Sequence, residues 1–185
     1  MKIIKVSTGK SKGLNLISEK NPDLRPTKDR VKEALFNILQ FKIKGKNFLD
    51  LFGGTGQIGI EAFSRGAENV AIIDNNSNAI KLIHKNVAKI SAPHQNIQVV
   101  KSDALDFINS THMVFDIAFL DPPYANNSLL NRCLEEIPKI MSKNSIIITE
   151  NLFGENIQFF STLYPLKKTY KYGKMCLNLY ETPES

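Results

Sequence analysis

Apolar residues recur with two different periods along the chain, and these periods predict its elements. Five short apolar runs are typical of buried strands, and the stretches between them have the three-to-four-residue spacing of amphipathic helices. Because strands and helices alternate and the strands are apolar on both faces, we predict a doubly wound α/β fold with a largely parallel sheet. The predicted strands are residues 48–52, 70–73, 97–100, 117–120 and 146–149, followed by an antiparallel pair at about 166–172 and 175–180, and the predicted helices are residues 57–65, 77–90 and about 127–141.

The N-terminal segment departs from this alternation. Residues 3–6 and 14–17 are short apolar runs separated by glycines, which predicts a small hairpin outside the main sheet. Thr27 and Asp29 then suit the start of a helix, with the acid placed against the positive end of the helix dipole. From Val31 onward, apolar residues recur three, four, seven and eight positions later, so one stripe of this helix is expected to be buried.

Composition limits the size and surroundings of the protein. Its 185 residues, 42% hydrophobic and 23% charged, suffice for one buried core but not for two large domains. We therefore divide it into an N-terminal extension, 1–45, and a main domain, 46–185. The chain has no long uncharged stretch and no apolar signal core at its start, so we expect a soluble protein. Cys133 and Cys176 have neither metal-ligand spacing nor the pattern of a disulfide framework, which favours the reducing cytoplasm.

The net charge of +6 is unevenly distributed. Residues 1–46 hold 12 lysines and arginines against 4 acids, whereas the rest of the chain holds 12 against 14. A basic first quarter on a slightly acidic body suggests that the N-terminal part meets a polyanion. A lysine-rich surface that serves solubility explains the same charge equally well.

A glycine-rich turn follows the first strand of the predicted sheet. Gly54, Gly56 and Gly59 satisfy the G-x-G-x-x-G spacing of nucleotide-binding turns. Asp74 ends the next strand, about 20 residues later, where a carboxylate can receive ribose hydroxyls. This pattern fits a nicotinamide dinucleotide and S-adenosylmethionine alike. Asp50 favours the second, because its carboxylate would repel a pyrophosphate but attract ammonium and sulfonium charges.

A third acid, Asp103, follows the next predicted strand. Its carboxylate could accept a hydrogen bond from the exocyclic amine of an adenine. It is equally well placed to cap the helical run that begins at Ala104. The two roles are compatible.

The most specific motif is Asp121-Pro122-Pro123-Tyr124, directly after an apolar strand. Two consecutive prolines cannot continue a strand ladder, so they fix an extended turn. That turn holds the Asp121 carboxylate and the Pro122 carbonyl as two acceptors for one exocyclic amino group, whose lone pair is thereby directed at a methyl donor. Tyr124 offers an aromatic face for an unstacked base. A simple strand-ending turn is the alternative.

Together these motifs resemble the bacterial 16S ribosomal RNA guanine-N2 methyltransferases, over nearly the whole chain. The helix segment that begins with Arg25-Pro26-Thr27 is the family-specific feature. The glycine-rich turn and the Asp-Pro-Pro-Tyr motif also occur in DNA adenine-N6 methyltransferases. One departure is conservative: the family usually shows Ala-Gly-Ser-Gly at residues 53–56. The matching segments are Met1 to Ile4, Arg25 to Leu39, Leu49 to Gly56, Gly59 to Ala62, Ser64 to Ala67, Asp121 to Tyr124, and Tyr180.

The resemblance implies a class I S-adenosylmethionine-dependent methyltransferase, Rossmann-like, with a mostly parallel seven-stranded sheet. It implies a 16S rRNA substrate in the small ribosomal subunit or an assembly intermediate, with no metal. The implied catalytic residues are Asp121, Pro122 and Tyr124; the implied cofactor-binding residues are Asp50, Phe52, Gly54, Gly56, Asp74, Asp103 and Ala104; and the implied RNA-binding residues are Arg25, Thr27, Arg30 and Lys32.

Three other functions remain open on the sequence. A DNA adenine-N6 methyltransferase would use the same amino-group chemistry, although the chain has no extra domain to read DNA. A nicotinamide oxidoreductase would use the glycine spacing. A non-catalytic RNA-binding protein could keep the fold, but it would not need Asp121 and Tyr124.

Overall fold

A computed structural model gives the fold of the chain. It describes residues 3–18, 26–91, 93–123, 127–155, 157, 159 and 161–183. Strands and helices alternate as predicted, between a short hairpin at the start and an antiparallel pair at the end. The strands are β1 Ile3–Lys5, β2 Asn15–Ile17, β3 Asn47–Asp50, β4 Asn69–Asp74, β5 Ile97–Lys101, β6 Phe115–Leu120, β7 Met141–Leu152, β8 Leu166–Tyr172 and β9 Met175–Glu181; the α-helices are α1 Pro26–Ile38, α2 Gln57–Ser64, α3 Ser77–Val87, α4 Ala104–Ser110 and α5 Asn127–Glu136.

The main sheet has seven strands in the order β5-β4-β3-β6-β7-β9-β8. The first five of these strands run parallel, and β9 lies antiparallel between β7 and β8. The chain order reverses between β3 and β6, so the carboxyl ends of these two strands flank the crevice where α/β sheets bind ligands. The predicted α/β class, with its terminal antiparallel pair, is confirmed.

Two hydrophobic clusters cover the two faces of the sheet. The N-terminal hairpin and α1 lie on the same face as α2 and α3, where Ile4, Leu16 and Leu35 join Phe48 and Ile72 in one core. Helices α4 and α5 cover the other face. The N-terminal extension therefore shares its core with the sheet. Within the described parts of the chain, no helix is long and apolar enough to cross a membrane.

Two buried polar side chains also attach the extension to the sheet. Glu61 of α2 is fully buried and accepts hydrogen bonds from the backbone N–H groups of Ser7 and Thr8, at 2.8 and 3.1 Å. Asn86 of α3, also fully buried, accepts from the N–H of Ile17 and donates to the carbonyls of Ile17 and Thr55. Because Thr55 belongs to the glycine-rich turn, the hairpin supports that turn through Asn86.

The element bounds differ from the predictions at several ends. Helix α1 begins at Pro26, so Thr27 lies inside the helix and is not its cap; proline suits this first position because its missing N–H would have no partner there. Helix α3 ends at Val87, short of the predicted residue 90. The predicted helix 127–141 is wrong beyond Glu136, because a 3-10 turn with Pro138 follows at Ile137–Ile140.

Strand β7 begins at Met141, five residues before the predicted run. After Met141, residues 142–144 are polar and at least partly exposed, so they give no hydrophobic strand signal. Met141 pairs with Phe115 and Ile146 pairs with Ile117, so a register shift leaves residues 142–145 opposite Asp116 alone.

Candidate active site

Acidic side chains stand at the carboxyl ends of the parallel strands, where the sequence predicted ligand-binding residues. Asp50 and Asp74 are the last residues of β3 and β4, and Asp103 lies two residues beyond β5. Because these three strands are neighbours in the sheet, the three carboxylates lie along one edge. We call this edge the first half of the site.

Asp50 is the most deeply buried of these acids, with 2% of its surface exposed. Its carboxylate accepts the backbone N–H of Gly59 at 3.0 Å. Burial raises the pKa of Asp50 to about 7, partly offset by the Gly59 hydrogen bond and reinforced by the nearby Asp121 and Asp74 carboxylates. A cationic ligand beside Asp50 would favour the ionised form of its carboxyl group. A pyrophosphate would instead be repelled by the carboxylates of Asp50, Asp74 and Asp121.

The glycine-rich turn leaves open space on its outer side. Gly54 has φ +54°, and no atom lies within 4 Å of the position where a side chain would begin. Its N–H donates to the Asp74 carboxylate at 2.8 Å. Gly59 serves packing instead, because a Cβ there would lie 2.5 Å from the Ile72 side chain. The turn therefore offers a bare backbone on its open side and close helix-to-strand contact behind it.

Asp74 keeps capacity for a ligand although the backbone already uses it. One carboxylate oxygen accepts the Gly54 N–H, and the other accepts the Asn76 N–H at 2.8 Å. A carboxylate has about four acceptor sites, so ribose hydroxyls could bind at the remaining ones.

Asp103 is confirmed as a helix cap. Its side chain accepts the N–H of Leu105 at 3.0 Å at the start of α4. The side chain is exposed, whereas Ala104 is buried in the core beneath it. The cap uses one carboxylate oxygen, so the predicted contact with an adenine amine stays compatible with it.

The second half of the site lies at the ends of β6 and β7. Asp121 directly follows β6, and both Asp121 and Pro122 are half-buried. Glu150, near the end of β7, is 8% exposed and lines two cavities together with Asp121. Tyr124 lies outside the described residues.

One cavity of about 170 Å³ lies between Asp50 of the first half and the second half of the site. Asp50, Gly54 and Gln57 line it from the glycine-rich turn, and Asp121 and Glu150 line it from the second half. The N-terminal extension closes it with Ile4, Val31, Lys32 and Leu35, and Phe52, Gly53, Thr55, Ile58 and Phe119 complete its wall. Gly56 is buried behind the turn and is not part of this wall.

The predicted RNA-binding residues have different surroundings. Arg30 is exposed on α1. Lys32 is 6% exposed; its ammonium group donates to the Lys5 carbonyl at 2.9 Å and lies 3.9 Å from Glu61. A buried ammonium with partners inside the chain is poorly placed for a phosphate, so Lys32 is better assigned to the cavity wall. Arg25 and the side chain of Thr27 lie outside the described residues.

Three functional or supporting residues escaped the sequence predictions. Glu150 follows an apolar strand as Asp121 does, so the same signal was available for it. Asn86 is a polar residue within the apolar stripe of α3. This position indicates a buried polar contact, but the sequence does not show which residue is the partner. For Glu61 the sequence shows a possible pairing with Arg65 four residues later, but it gives no signal for the backbone contacts with Ser7 and Thr8, which lie more than fifty residues away.

Comparison with known proteins identifies the family of this chain. The model of the family described as "Conserved hypothetical protein 95" matches residues 4–181. The chain belongs to this family. One relative, the Ribosomal RNA small subunit methyltransferase D of Escherichia coli strain K12, is 34% identical over 149 residues, covering 80% of this chain and 72% of the relative.

Further members and structures agree with this assignment. The protein of the same name from Buchnera aphidicola subsp. Baizongia pistaciae is 32% identical over 181 residues and covers 96% of this chain and 91% of the relative. The solved structure of yhhF from Escherichia coli, named as a methyltransferase, has a TM-score of 0.87 at 26% identity, with both chains covered completely. The resemblance noted from the motifs is thereby confirmed at the level of the family.

Proposed function

We propose that this protein transfers the methyl group of S-adenosylmethionine to the exocyclic N2 of a guanine in 16S ribosomal RNA. The observation that carries the proposal is one cavity lined both by the glycine-rich turn with Asp50 and by Asp121 of the Asp-Pro-Pro turn. This arrangement supports the proposal, because a methyl donor bound at the glycine-rich turn would lie next to an amino group held by Asp121. The methyltransferase names of the relatives support the reaction class, and their ribosomal RNA names support the substrate class.

The first half of the site fits S-adenosylmethionine, which when bound would supply an electrophilic methyl group on a sulfonium. Asp50 would face the positive charges of its methionine part, beside the backbone of Gly54 and Gly56. Asp74 would accept hydrogen bonds from the ribose hydroxyls. Asp103 would accept from the adenine amine, beside Phe52 and Ala104.

The second half would hold the target base. The Asp121 carboxylate and the Pro122 carbonyl would each accept one N–H of the amino group. Holding both N–H bonds fixes the direction of the nitrogen lone pair, and alignment of this kind is a large part of what an enzyme supplies to a transfer reaction. The N2 proton lost on methylation would leave along the bond that Asp121 accepts. Tyr124 would stack on the base.

The N-terminal extension would hold the RNA near this cavity. Its helix α1 lines the cavity through Val31, Lys32 and Leu35, so RNA phosphates bound to the outer side of α1 would lie close to the reacting base. Arg25, Thr27 and Arg30 are the proposed contacts. The substrate would be the small subunit or an assembly intermediate, whose folded RNA presents its target by shape.

The proposal is tested by transfer of a labelled methyl group from S-adenosylmethionine to small subunits that lack this modification. The wild-type protein should label the RNA, and Asp121→Asn should lower kcat by about 10²–10³-fold, because the neutral amide is a weaker acceptor and cannot take the proton that leaves N2. Asp106→Asn, an exposed acid on α4, is the matched control and should keep full activity.

Binding measurements separate the other enzyme classes. Calorimetry should show binding of S-adenosylhomocysteine by wild type and by Asp121→Asn with similar affinity. Binding of NAD in place of S-adenosylhomocysteine would contradict the proposal, and so would equal labelling by Asp121→Asn.

A further inference from the structure

Glu150 lies where the two cavities of the site meet. It lines the 170 Å³ cavity that the glycine-rich turn also lines. It also lines the smaller pocket beside Asp121, Pro122 and Pro123. It is 8% exposed, so its carboxylate is largely withdrawn from water. None of the motifs described above includes it.

Strand pairing sets Glu150 beside Asp121. Leu120 of β6 is paired in parallel register with Thr149 of β7. The next residue of each strand is therefore Asp121 on one side and Glu150 on the other. Neighbouring strands lie about 4.8 Å apart, and residues in register point to the same face of the sheet.

The position of Glu150 is rigid. Strand β7 continues past it to Leu152, and Glu150 itself is paired with Leu177 of β9. The flanking side chains of Thr149 and Asn151 are both hydrogen-bonded to Asn178 on β9. A carboxylate on such a backbone can act as a fixed acceptor beside Asp121.

Two adjacent carboxylates match the edge of guanine better than that of adenine or cytosine. Guanine presents N1–H next to its N2 amino group, so two neighbouring N–H donors lie on one edge. Adenine and cytosine present a bare ring nitrogen, N1 or N3, next to their amino groups. A carboxylate facing that lone pair would be repelled and would lack a donor.

We propose that Glu150 accepts the N1–H of the target guanine while Asp121 and Pro122 hold its N2 amino group. Glu150 thereby selects guanine among the bases that carry an exocyclic amine. This inference rests on the proposed function. Asp121 and Pro122 alone accept any amino group, so the choice of base needs a further contact, and buried sites that hydrogen-bond a substrate group reject analogues lacking it.

The test compares guanine with 2-aminopurine at the methylated position of reconstituted small subunits. 2-Aminopurine keeps the 2-amino group but has a bare N1. Wild type should prefer guanine in kcat/KM by at least about 100-fold, because the analogue lacks the N1–H that Glu150 would accept in a buried site. Equal rates on the two substrates would overturn the inference without any variant.

Glu150→Gln isolates the contact from the loss of O6, which 2-aminopurine also lacks. The amide can accept from N1–H through its oxygen or donate to a bare N1 through its nitrogen, so the preference for guanine should fall at least about tenfold. Glu68→Gln, an exposed acid at the opposite edge of the sheet, is the matched control and should keep the wild-type preference. Thermal unfolding and S-adenosylhomocysteine binding verify that the variant is folded.

The outcomes separate the inference from the proposed function. If wild type methylates no guanine, the proposed function is wrong. If wild type methylates guanine and Glu150→Gln keeps the full preference for guanine over 2-aminopurine, only the assignment of Glu150 is wrong.

Discussion

The two halves of the site are built in different ways. In the first half, each carboxylate accepts an N–H from a nearby loop or helix start: Gly59 for Asp50, Gly54 for Asp74 and Leu105 for Asp103. In the second half, Asp121 and Glu150 come from strands that meet only through the register of the sheet.

This difference separates binding from choice of target. A carboxylate that is fixed by a backbone N–H is suited to hold a cofactor in one position. Acceptors brought together from two strands can change with a single residue, and so can the base they accept. Substitutions in the first half should therefore change cofactor affinity, and substitutions in the second half should change rate and base preference.

Removal of the support under the first half should have the largest effect. Asn86→Ala removes the three hydrogen bonds of this buried side chain and leaves the backbone groups of Ile17 and Thr55 without that partner. The free energy of unfolding should therefore fall by about 3–5 kcal/mol. Denaturant unfolding measures this loss, and S-adenosylhomocysteine binding should weaken in the fraction that stays folded. Exposed Asn78 on the same helix is the control; a similar loss for Asn78→Ala would contradict a specific role for Asn86.

Asp50→Asn should change how stability depends on pH. The pKa of Asp50 is about 7 in the folded protein and near 3.8 when unfolded, so the folded state holds a proton between these values that the unfolded state releases. Wild-type stability therefore falls as pH rises toward 7, whereas Asn does not titrate. Relative to wild type, the variant should gain about 3 kcal/mol between pH 5 and pH 8.

Urea unfolding at the two pH values measures this gain. A constant difference between Asp50→Asn and wild type would show that Asp50 has an ordinary pKa. The same variant should bind S-adenosylmethionine more weakly, since the negative charge that faces its cationic groups is gone.

Asp74→Ala tests the first half as a binding element. The loss of hydrogen bonds to a charged acceptor should weaken S-adenosylhomocysteine binding by about 2 kcal/mol, or roughly 30-fold, while kcat at saturating cofactor changes little. Calorimetry and saturation kinetics give both quantities. A large fall in kcat with unchanged affinity for S-adenosylhomocysteine would contradict the assignment of Asp74 to cofactor binding.

Arg30→Ala should have the smallest effect, because the exposed side chain belongs to neither half. KM for the small subunit should rise by less than about tenfold, and the dependence of binding on salt should weaken by about one ion. Exposed Lys143 at the other edge of the sheet is the control. An altered cofactor affinity in Arg30→Ala would place this residue in the first half.

The parts of the structure that depend on local pattern were predictable from the sequence. Each parallel strand is a short apolar run bounded by turn residues, which makes the alternation of strands and helices visible in the sequence. Asp50, Asp74 and Asp121 mark the points where such an apolar run changes to polar residues. The start of β7 was not predictable, because polar residues 142–144 separate Met141 from the apolar run and are accommodated by a register shift against β6.

Long-range contacts explain the rest. The proximity of Glu150 to Asp121 depends on which strands are neighbours, and no spacing along the chain expresses it. Burial of Lys32 likewise depends on Lys5 and Glu61, which belong to different elements. The surplus of positive charge in residues 1–46 therefore overstates the basic surface available to RNA by at least this one side chain.

The identity of the methylated nucleoside is the most direct test of methyl transfer to the exocyclic N2 of a guanine. Small subunits that lack the modification are labelled by the wild-type protein with S-adenosylmethionine, digested to nucleosides and analysed by mass spectrometry. We expect the label in N2-methylguanosine at one position of the 16S RNA. Label in N6-methyladenosine, or in any base methylated elsewhere than at an exocyclic N2, would contradict it.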